Sequence, residues 1–266
     1  MLLDFDSLGG LRWVLGLIAG VAVVFLLLPL LLIVALSFDA SPWMQFPPPA
    51  WTLEWYRQVF ADPEWLASLL TSLEVAVIVT VLSVVLGTLA SFGIVRGRFA
   101  GREVLRAFFL TPMVLPVVVL AVALYAAFLR LHLNATLTGF VIAHLILALP
   151  FSILAISGAL EQFDRAIEDA AVLCGARLWE ARLRVTLPAI RLGLFSAAIF
   201  SFLASWDEVV VAIFMAGPDL QTIPVRIWGM LRQDLSPVIA AVSSLLVLLT
   251  VLLMSAAALL NKDKTR

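Results

Sequence analysis

Six long apolar stretches limit what this 266-residue chain can fold into more than any other feature does. They cover residues 14–36, 75–95, 107–129, 137–160, about 192–216 and 238–260, and the second extends outward past Glu74 to about residue 66. A helix needs about 20 apolar residues to cross about 30 Å of hydrocarbon. Because the stretches are continuous and do not alternate in polarity, they predict six transmembrane helices rather than barrel strands.

The composition excludes several classes of protein. The chain is 63% hydrophobic and 13% charged, whereas soluble domains are about 45–50% apolar and about 25% charged. A cytosolic enzyme and a disordered chain are therefore both excluded. With Cys174 as the single cysteine and only His132 and His144 as imidazoles, we expect no disulfide within the chain, no metal site and no catalytic residues.

Basic residues predict the orientation, because cytoplasmic loops are enriched in Lys and Arg. With the N-terminus inside, most of the 17 basic residues fall on the inner side, and the outer segments hold only Arg57, Arg130, Arg226 and Arg232. Inner Lys262, Lys264 and Arg266 belong to the C-terminal end. We therefore expect both termini in the cytoplasm. The first stretch is too long for a signal peptide and is expected to be a retained span.

Four prolines lie inside the predicted spans, and each is expected to kink its helix without ending the crossing. They are Pro29, Pro112, Pro116 and Pro150.

The cytoplasmic loop 161–190 is far longer than a simple connection requires. Asp164 is placed to cap a first short helix, Gly175 interrupts it, and Pro188 closes a second helix before the fifth span. The pattern predicts two amphipathic helices joined by a glycine bend, outside the membrane. Their apolar stripe needs a partner, which is either the membrane surface or another protein.

This loop resembles the signature E-A-A-x3-G-x9-I-x-L-P of ABC importer permeases. Residues 168–175 read EDAAVLCG and residues 185–188 read VTLP. The glycine and the leucine-proline pair fall at the family's spacing, while Asp169 replaces the family's Glu and Val185 replaces Ile. The resemblance implies an all-α type I ABC importer permease fold, as a single permease domain over residues 1–266 in the bacterial inner membrane.

In that family the loop forms coupling helices that sit in a cleft of a cytoplasmic ATPase. The resemblance therefore implies ATPase-coupling roles for Glu168, Asp169, Ala170, Ala171, Gly175, Leu187 and Pro188. A phosphate-binding loop needs the pattern G-x-x-x-x-G-K-[ST], and the only lysines are at the C-terminal end. We expect no cofactor on this chain, with ATP and Mg bound by a dimer of partner ATPase subunits.

Three acidic residues lie within the predicted spans, where ionisable side chains are costly and indicate function by default. Glu74 lies near the outer end of the second span, and Asp207 and Glu208 are neighbours in the fifth, about 100° apart if helical. The acids either bond to neighbouring helices or form a path that attracts cations. His144 is expected to be a packed, hydrogen-bonded histidine.

The C-terminal part is similar to polyamine (spermidine/putrescine) permeases, and most similar to the second permease of those systems. The matching segments are SWDEVVV at 205–211, GP at 217–218, IPVR at 223–226, SP at 236–237, IAA at 239–241 and WY at 55–56. This resemblance implies a polyamine path with Trp206 beside the three acids. Iron(III) and thiamine permeases share parts of it, so those solutes stay open.

The resemblance also implies partners: a second, different permease subunit, an extracytoplasmic solute-binding protein and the lipid bilayer, but no nucleic acid. Acidic residues expected to help dock the binding protein are Asp39, Glu54, Asp62, Glu64, Asp219 and Asp234. An ion-coupled secondary carrier would leave the loop signature unexplained. An intramembrane enzyme would need a set of catalytic groups that the spans do not contain.

Overall fold

The computed structural model describes residues 11–233 and 236–262, the last ten of these by backbone alone. Asp234, Lys264 and Arg266, which figure in the expectations above, lie outside the described residues. Within the described part the chain is helical and contains no β-strand, only isolated bridges such as Asp39–Trp51. The all-α fold class is thereby confirmed.

Most of the helices follow one another with short connections, whereas residues 37–53 form a longer connection between the first two. They are α1 Leu11–Leu36, α2 Glu54–Ala61, α3 Pro63–Arg96, α4 Arg102–Val114, α5 Val117–Leu131, α6 Leu137–Gln162, α7 Arg165–Leu173, α8 Leu178–Ala181, α9 Leu187–Ala189, α10 Arg191–Trp206, α11 Val210–Met215, α12 Ile223–Gln233 and α13 Pro237–Lys262. A π-helical turn, Arg182–Thr186, joins α8 to α9.

Several of these helices are suited to cross a membrane. In the described residues, α1, α3 and α6 are each long and apolar enough, and the number reaches five if each of two bent helix pairs counts as one span. The predicted sixth stretch coincides with α13, whose side chains are described only to Leu252. The chain is a polytopic membrane protein, while six crossings and two cytoplasmic termini stay predictions.

The third predicted span is not one continuous helix but a bent pair, so its crossing stays a prediction. α4 and α5 meet at 104°, with the break at Leu115 and Pro116. Proline has no N–H to donate, and it disfavours helical backbone in the residue before it. Leu115 accordingly has an extended backbone, with φ −70° and ψ 141°. Pro29, Pro112 and Pro150 each lie inside a helix that continues past them.

The fifth predicted span is also interrupted. α10 ends at Trp206 and α11 begins at Val210, so Asp207 and Glu208 lie in a break and do not share one helix. At its other end, the helical segment Leu178–Ala189 meets α10 at 74°. Pro188 lies in the three-residue α9, which ends the helical segment at Ala189 immediately before the bend. This position agrees with the prediction that Pro188 closes the unit just before the fifth span.

The chain divides into two compact units. The first comprises residues 1–63 and 229–266, and the second comprises residues 64–228. In the first unit α13 packs against α1 and α2. The segment between α1 and α2 is held by hydrogen bonds from Trp55 Nε1 to the Asp39 carbonyl (2.6 Å) and between Ser37 Oγ and Tyr56 Oη (2.6 Å).

The second unit is built around α6, which packs along α10 and contacts α4 and α11. Its central cluster of buried side chains comes from α3, α5, α6 and α11 and includes Val79, Phe128, Phe140 and Met215. Between membrane helices such side chains stabilise the fold through close van der Waals packing, because lipid tails are as apolar as the side chains themselves. This cluster holds the short helix α11 in place, directly after the acidic break.

Candidate functional site

The first helix of the predicted coupling loop forms as the sequence indicates. Asp164 caps it, since its Oδ1 accepts a hydrogen bond from the Ala166 N–H at 2.9 Å. α7 ends at Leu173, and Gly175 adopts φ 97°. That backbone region is strained for L-residues but open to glycine. The predicted glycine bend is confirmed, and we call residues 164–189 the coupling segment.

The second half of the coupling segment departs from a regular helix. The Arg177 N–H donates to Glu180 Oε2 at 2.9 Å at the start of α8. One turn later the helix widens into the π-helical turn Arg182–Thr186, and α9 then leads to the bend before α10. π-turns are uncommon and occur frequently at functional sites.

Glu168 joins the two halves of the coupling segment. Its carboxylate accepts hydrogen bonds from Arg182 Nε at 3.2 Å and from the Thr186 hydroxyl at 3.0 Å. Glu168 is only 3% exposed. The Arg182 guanidinium also lies 5.0 Å from the centroid of the Phe92 ring on α3. Glu168, predicted to act in ATPase coupling, is thus positioned within the chain rather than on its outer surface.

The other predicted coupling residues lie on or near the surface. Asp169, Ala170, Gly175 and Pro188 are exposed, and Ala171 and Leu187 are half-buried. Around them the segment exposes large apolar side chains, which are Ile167, Val172, Leu173, Leu178, Trp179 and Leu183. Leu173 is the extreme case at 89%. Asp169 lies near Arg165 at 3.7 Å. This combination of small and large apolar groups is suited to contact with another protein.

Arg96 ties the end of α6, directly before the coupling segment, to the end of α3. Its Nη2 donates to the carbonyls of Leu160 (3.1 Å) and Phe163 (2.8 Å), at the point where α6 ends. Those carbonyls are among the helix-terminal acceptors without an intrahelical partner. The roles of Arg96, Arg182 and Thr186 were not predicted from the sequence. The position of Arg96 in the last turn of α3 indicated that it could bind helix-terminal carbonyls. The pairing of Arg182 and Thr186 with Glu168 across Gly175 depends on the fold.

At the second candidate site, the acids of the broken fifth span differ in their surroundings. Glu208 is half-buried, and its Oε1 accepts a hydrogen bond from the Val211 N–H at 2.7 Å, so that it caps α11. Asp207 is exposed, and Trp206 stacks on Phe202 with 5.5 Å between ring centroids. In the described residues neither acid has a basic side chain within ion-pair distance. Asp207 is thus the more available carboxylate.

His144 lies beside this break. It is fully buried on α6, with Nδ1 hydrogen-bonded to Ser205 Oγ at 3.0 Å and its ring 5.4 Å from that of Phe140. The prediction of a packed, hydrogen-bonded histidine is confirmed. Glu74 is exposed on α3, and no hydrogen bond or ion pair of the described residues joins it to Asp207 or Glu208. Trp206, Asp207 and Glu208 are consecutive residues at the break.

The far end of α11 is also held. Asn134 Nδ2 donates to the Phe214 carbonyl at 3.2 Å, and the Ala135 N–H donates to the Met215 carbonyl at 3.0 Å. Together with the Glu208 cap, these bonds give partners to one N–H at the start and two carbonyls at the end of a six-residue helix. Nothing in the sequence indicated the role of residues 134–135, since their partners are about 80 residues away.

Comparison with known proteins identifies the family to which these features belong. Residues 83–266 match the family described as "Binding-protein-dependent transport system inner membrane component". The chain is 26% identical over 246 residues to the spermidine/putrescine transport system permease protein PotC of Escherichia coli (strain K12), covering 91% of each chain. It is 28% identical over 229 residues to the putrescine transport system permease protein PotI of the same organism, covering 84% of this chain and 81% of the relative.

The fold has a counterpart among solved structures. A chain from the crystal structure of a bacterial ABC transporter involved in the import of the acidic polysaccharide alginate superposes with a TM-score of 0.75. The match covers 96% of this chain and 97% of the other at 16% identity. That likeness shows the ABC permease fold and carries no information about the solute.

Proposed function

Because this chain belongs to the family of binding-protein-dependent transport system inner membrane components, we propose that it carries a polyamine across the bacterial inner membrane in an ATP-driven importer. The family and the permease fold account for its apolar helices and membrane location. The proposal assigns the solute to the acidic break in the fifth span and the energy input to the coupling segment.

The structure of the coupling segment supports the proposal that a separate ATPase subunit docks there. Its two helices are fixed to each other by buried Glu168, while its outer surface exposes Leu173, Trp179 and neighbouring apolar groups. A pair of helices held in this way transmits a displacement without bending. Two cytoplasmic ATPase subunits bind ATP and Mg, and one of them docks on this surface in the assembly that we propose.

Movement of the coupling segment reaches the spans through two connections. Phe163 continues α6 into α7 and is held by Arg96 of α3, and α9 leads directly into α10. A displacement of the segment therefore acts on α3, α6 and α10 together. Closure of the ATPases would then reorient these helices and alternate access between the two sides of the membrane, with no covalent chemistry on this chain.

The solute is assigned from charge and from the relatives. Both E. coli relatives are named for putrescine or for spermidine and putrescine. Asp207, next to Trp206 and Glu208, is an exposed carboxylate without a basic partner among the described residues. A carboxylate in a membrane span is costly and therefore indicates a function. Attraction of an ammonium group is a function that fits its charge. Glu74 on α3 is a further acidic position of the proposed path.

The remaining partners follow from the type of assembly. A second, homologous permease completes the path, and an extracytoplasmic binding protein delivers the solute to the outer face. Of the acidic residues assigned to docking, Glu54, Asp62, Glu64 and Asp219 belong to the predicted outer segments. Asp39 is buried and its carboxylate accepts hydrogen bonds from the Ser41 and Gln45 N–H groups, so it supports the loop rather than the docking surface.

Uptake into proteoliposomes tests this function. The chain is reconstituted with its cognate ATPase, second permease and binding protein, and uptake of radiolabelled spermidine and putrescine is measured with and without ATP. We expect uptake that requires ATP and is unaffected by collapse of ion gradients. Uptake of iron(III) or thiamine instead would correct the solute, and gradient-driven uptake without ATP would establish a secondary carrier.

A further inference from the structure

The turn between α3 and α4 borders an open surface cavity of about 380 Å³ with a mixed lining. Two arginines and one acid, Arg98, Arg102 and Glu103, line it together with the apolar side chains of Phe99 and Val104. Its lining includes no residue of the coupling segment and none of the acidic break. Positive charge next to apolar groups fits a ligand that is itself anionic at one end and apolar at the other.

Two glycines shape this cavity. Gly97 N–H donates to the Gly93 carbonyl at 3.1 Å, and a Cβ at Gly97 would clash with that carbonyl and come within 2.9 Å of the Phe99 ring. Gly101 has φ 88° immediately before α4. The chain thus turns tightly at both positions, and this turn places Arg98 and Arg102 beside the same cavity.

The charge of the cavity is positive. Arg96 binds carbonyls at the end of α6. Arg98 is exposed. Arg106 lies one helical turn beyond Arg102. Glu103 is the only acid that lines the cavity, and it pairs with Arg102 at 3.0 Å on the surface. In the part of the chain that the structure describes, no carboxylate lies within ion-pair distance of Arg98 or Arg106. Of the charged side chains that line the cavity, Arg102 pairs with Glu103, and Arg98 leaves one positive charge uncompensated.

α4 extends from this cavity as an amphipathic helix with no buried residue. Val104, Phe108 and Val114 are 73%, 69% and 83% exposed. The 104° bend at Pro116 sets α4 off from the direction of α5. Residues 102–106 at the start of α4 precede the predicted third span, which begins at residue 107. Basic side chains at this depth lie in the membrane interface, with the neighbouring apolar side chains at the level of the acyl chains.

We propose that the cavity between α3 and α4 binds the headgroup of an anionic phospholipid from the cytoplasmic leaflet. Arg98 and Arg102 contact the phosphate, and Phe99 and Val104 lie against the glycerol and upper acyl region. Basic pockets on the cytoplasmic side of membrane helices take such headgroups. The inference rests on the predicted orientation, which places this turn in the cytoplasm, and not on the transported solute.

Native mass spectrometry of the full chain in detergent tests the proposal with phosphatidylglycerol and phosphatidylcholine as the added lipids. We expect the wild-type chain to retain one phosphatidylglycerol at least tenfold more tightly than phosphatidylcholine. Each arginine near an anionic lipid contributes about a factor of five, so Arg98→Gln with Arg102→Gln should weaken retention about 30-fold. The matched control is Arg130→Gln, at the other end of the bent pair, which should change nothing.

Weaker lipid binding by the double variant could also come from misfolding, so a second variant is chosen that should bind the lipid more tightly. Glu103→Gln removes the carboxylate that competes for Arg102 and should tighten retention of phosphatidylglycerol about fivefold. Equal retention of both lipids, an unaltered double variant or an Arg130→Gln variant as weak as the double variant would each overturn the proposal. Displacement of the lipid by millimolar inorganic phosphate would also overturn it, because it would identify a site for free phosphate.

Discussion

Glu168 and Arg182 meet across the glycine bend of the coupling segment, with Oε1 and Nε 3.2 Å apart. The side chain of Glu168 is 4% exposed and that of Arg182 is 34% exposed. Removing one member of a buried pair leaves the other charge unsatisfied, which is more costly than the pair's net contribution. The pair therefore makes two short helices, neither stable alone at nine and four residues, behave as one body.

Glu168→Gln should destabilise the coupling segment, because glutamine keeps an acceptor for Thr186 but loses the charge that holds Arg182. The expected cost is about 2 kcal/mol, measured as a lower melting temperature of the purified chain, with ATP-driven uptake reduced. The control is the neighbouring change Asp169→Asn, whose ion pair with Arg165 is exposed and 3.7 Å long, and which should leave stability unchanged. Equal melting temperatures for the two variants would refute a bracing role for Glu168.

Replacement of Gly175 should impair coupling through the backbone rather than through a clash within the chain. A Cβ at this position meets nothing within 4 Å, but φ is 97°. Gly175→Val should cost about 1–2 kcal/mol and uncouple ATP hydrolysis from uptake, without loss of membrane insertion. Gly175→Asn should retain more activity, because asparagine tolerates positive φ better. The control is Gly158→Ala in α6, where there is also open space. Normal ATP-driven uptake by the Gly175→Val variant would contradict a role of the glycine bend in coupling.

The two acids at the break should have different roles, since Asp207 provides charge and Glu208 stabilises the fold. Asp207→Asn should lower spermidine uptake about tenfold, equivalent to about 1.4 kcal/mol, with assembly and melting temperature unchanged. Glu208→Ala should instead destabilise the chain by about 1 kcal/mol, since it removes the cap of α11. Glu208→Gln keeps an acceptor and should restore stability. If Asp207→Asn transports normally, Asp207 is outside the path.

The contact between α6 and α10 should be intolerant of added volume. A Cβ at Gly193 would clash with the Cβ of Ala159, whereas a Cβ at Gly93 meets nothing within 4 Å. Gly193→Ala should therefore cost about 1–3 kcal/mol, and Gly93→Ala should be neutral or slightly stabilising. Thermal unfolding of the two single variants measures the difference. Equal stability would mean that α6 and α10 pack less closely than described.

The sequence predicted those features that depend on local patterns. Apolar length located α1, α3 and α6, and Asp164 and Gly175 marked the start and the bend of the coupling segment. Each of these signals lies within a few residues of the structure that it determines. The family signature then identified the type of protein, which the comparisons confirm.

The features that the sequence did not predict depend on contacts between distant residues or on competing local effects. Pro116 breaks its span while Pro150 does not, and the two prolines have equally apolar neighbours. Glu168 looks like a surface residue of a short helix until Arg182 is folded onto it. The break at Asp207 depends on a buried cluster that holds α11 as a separate helix. Such outcomes are decided by tertiary packing.

Cys174 offers the most direct measurement of the central claim, that an ATPase docks on the coupling segment. It is the single cysteine of the chain and is exposed beside Gly175. A maleimide should label it readily in the isolated chain and at least tenfold more slowly after the cognate ATPase subunits bind. A Trp43→Cys, Cys174→Ser variant, with its thiol in the predicted outer loop, should label equally fast in both states. Labelling of Cys174 at the same rate with and without bound ATPase would contradict the account.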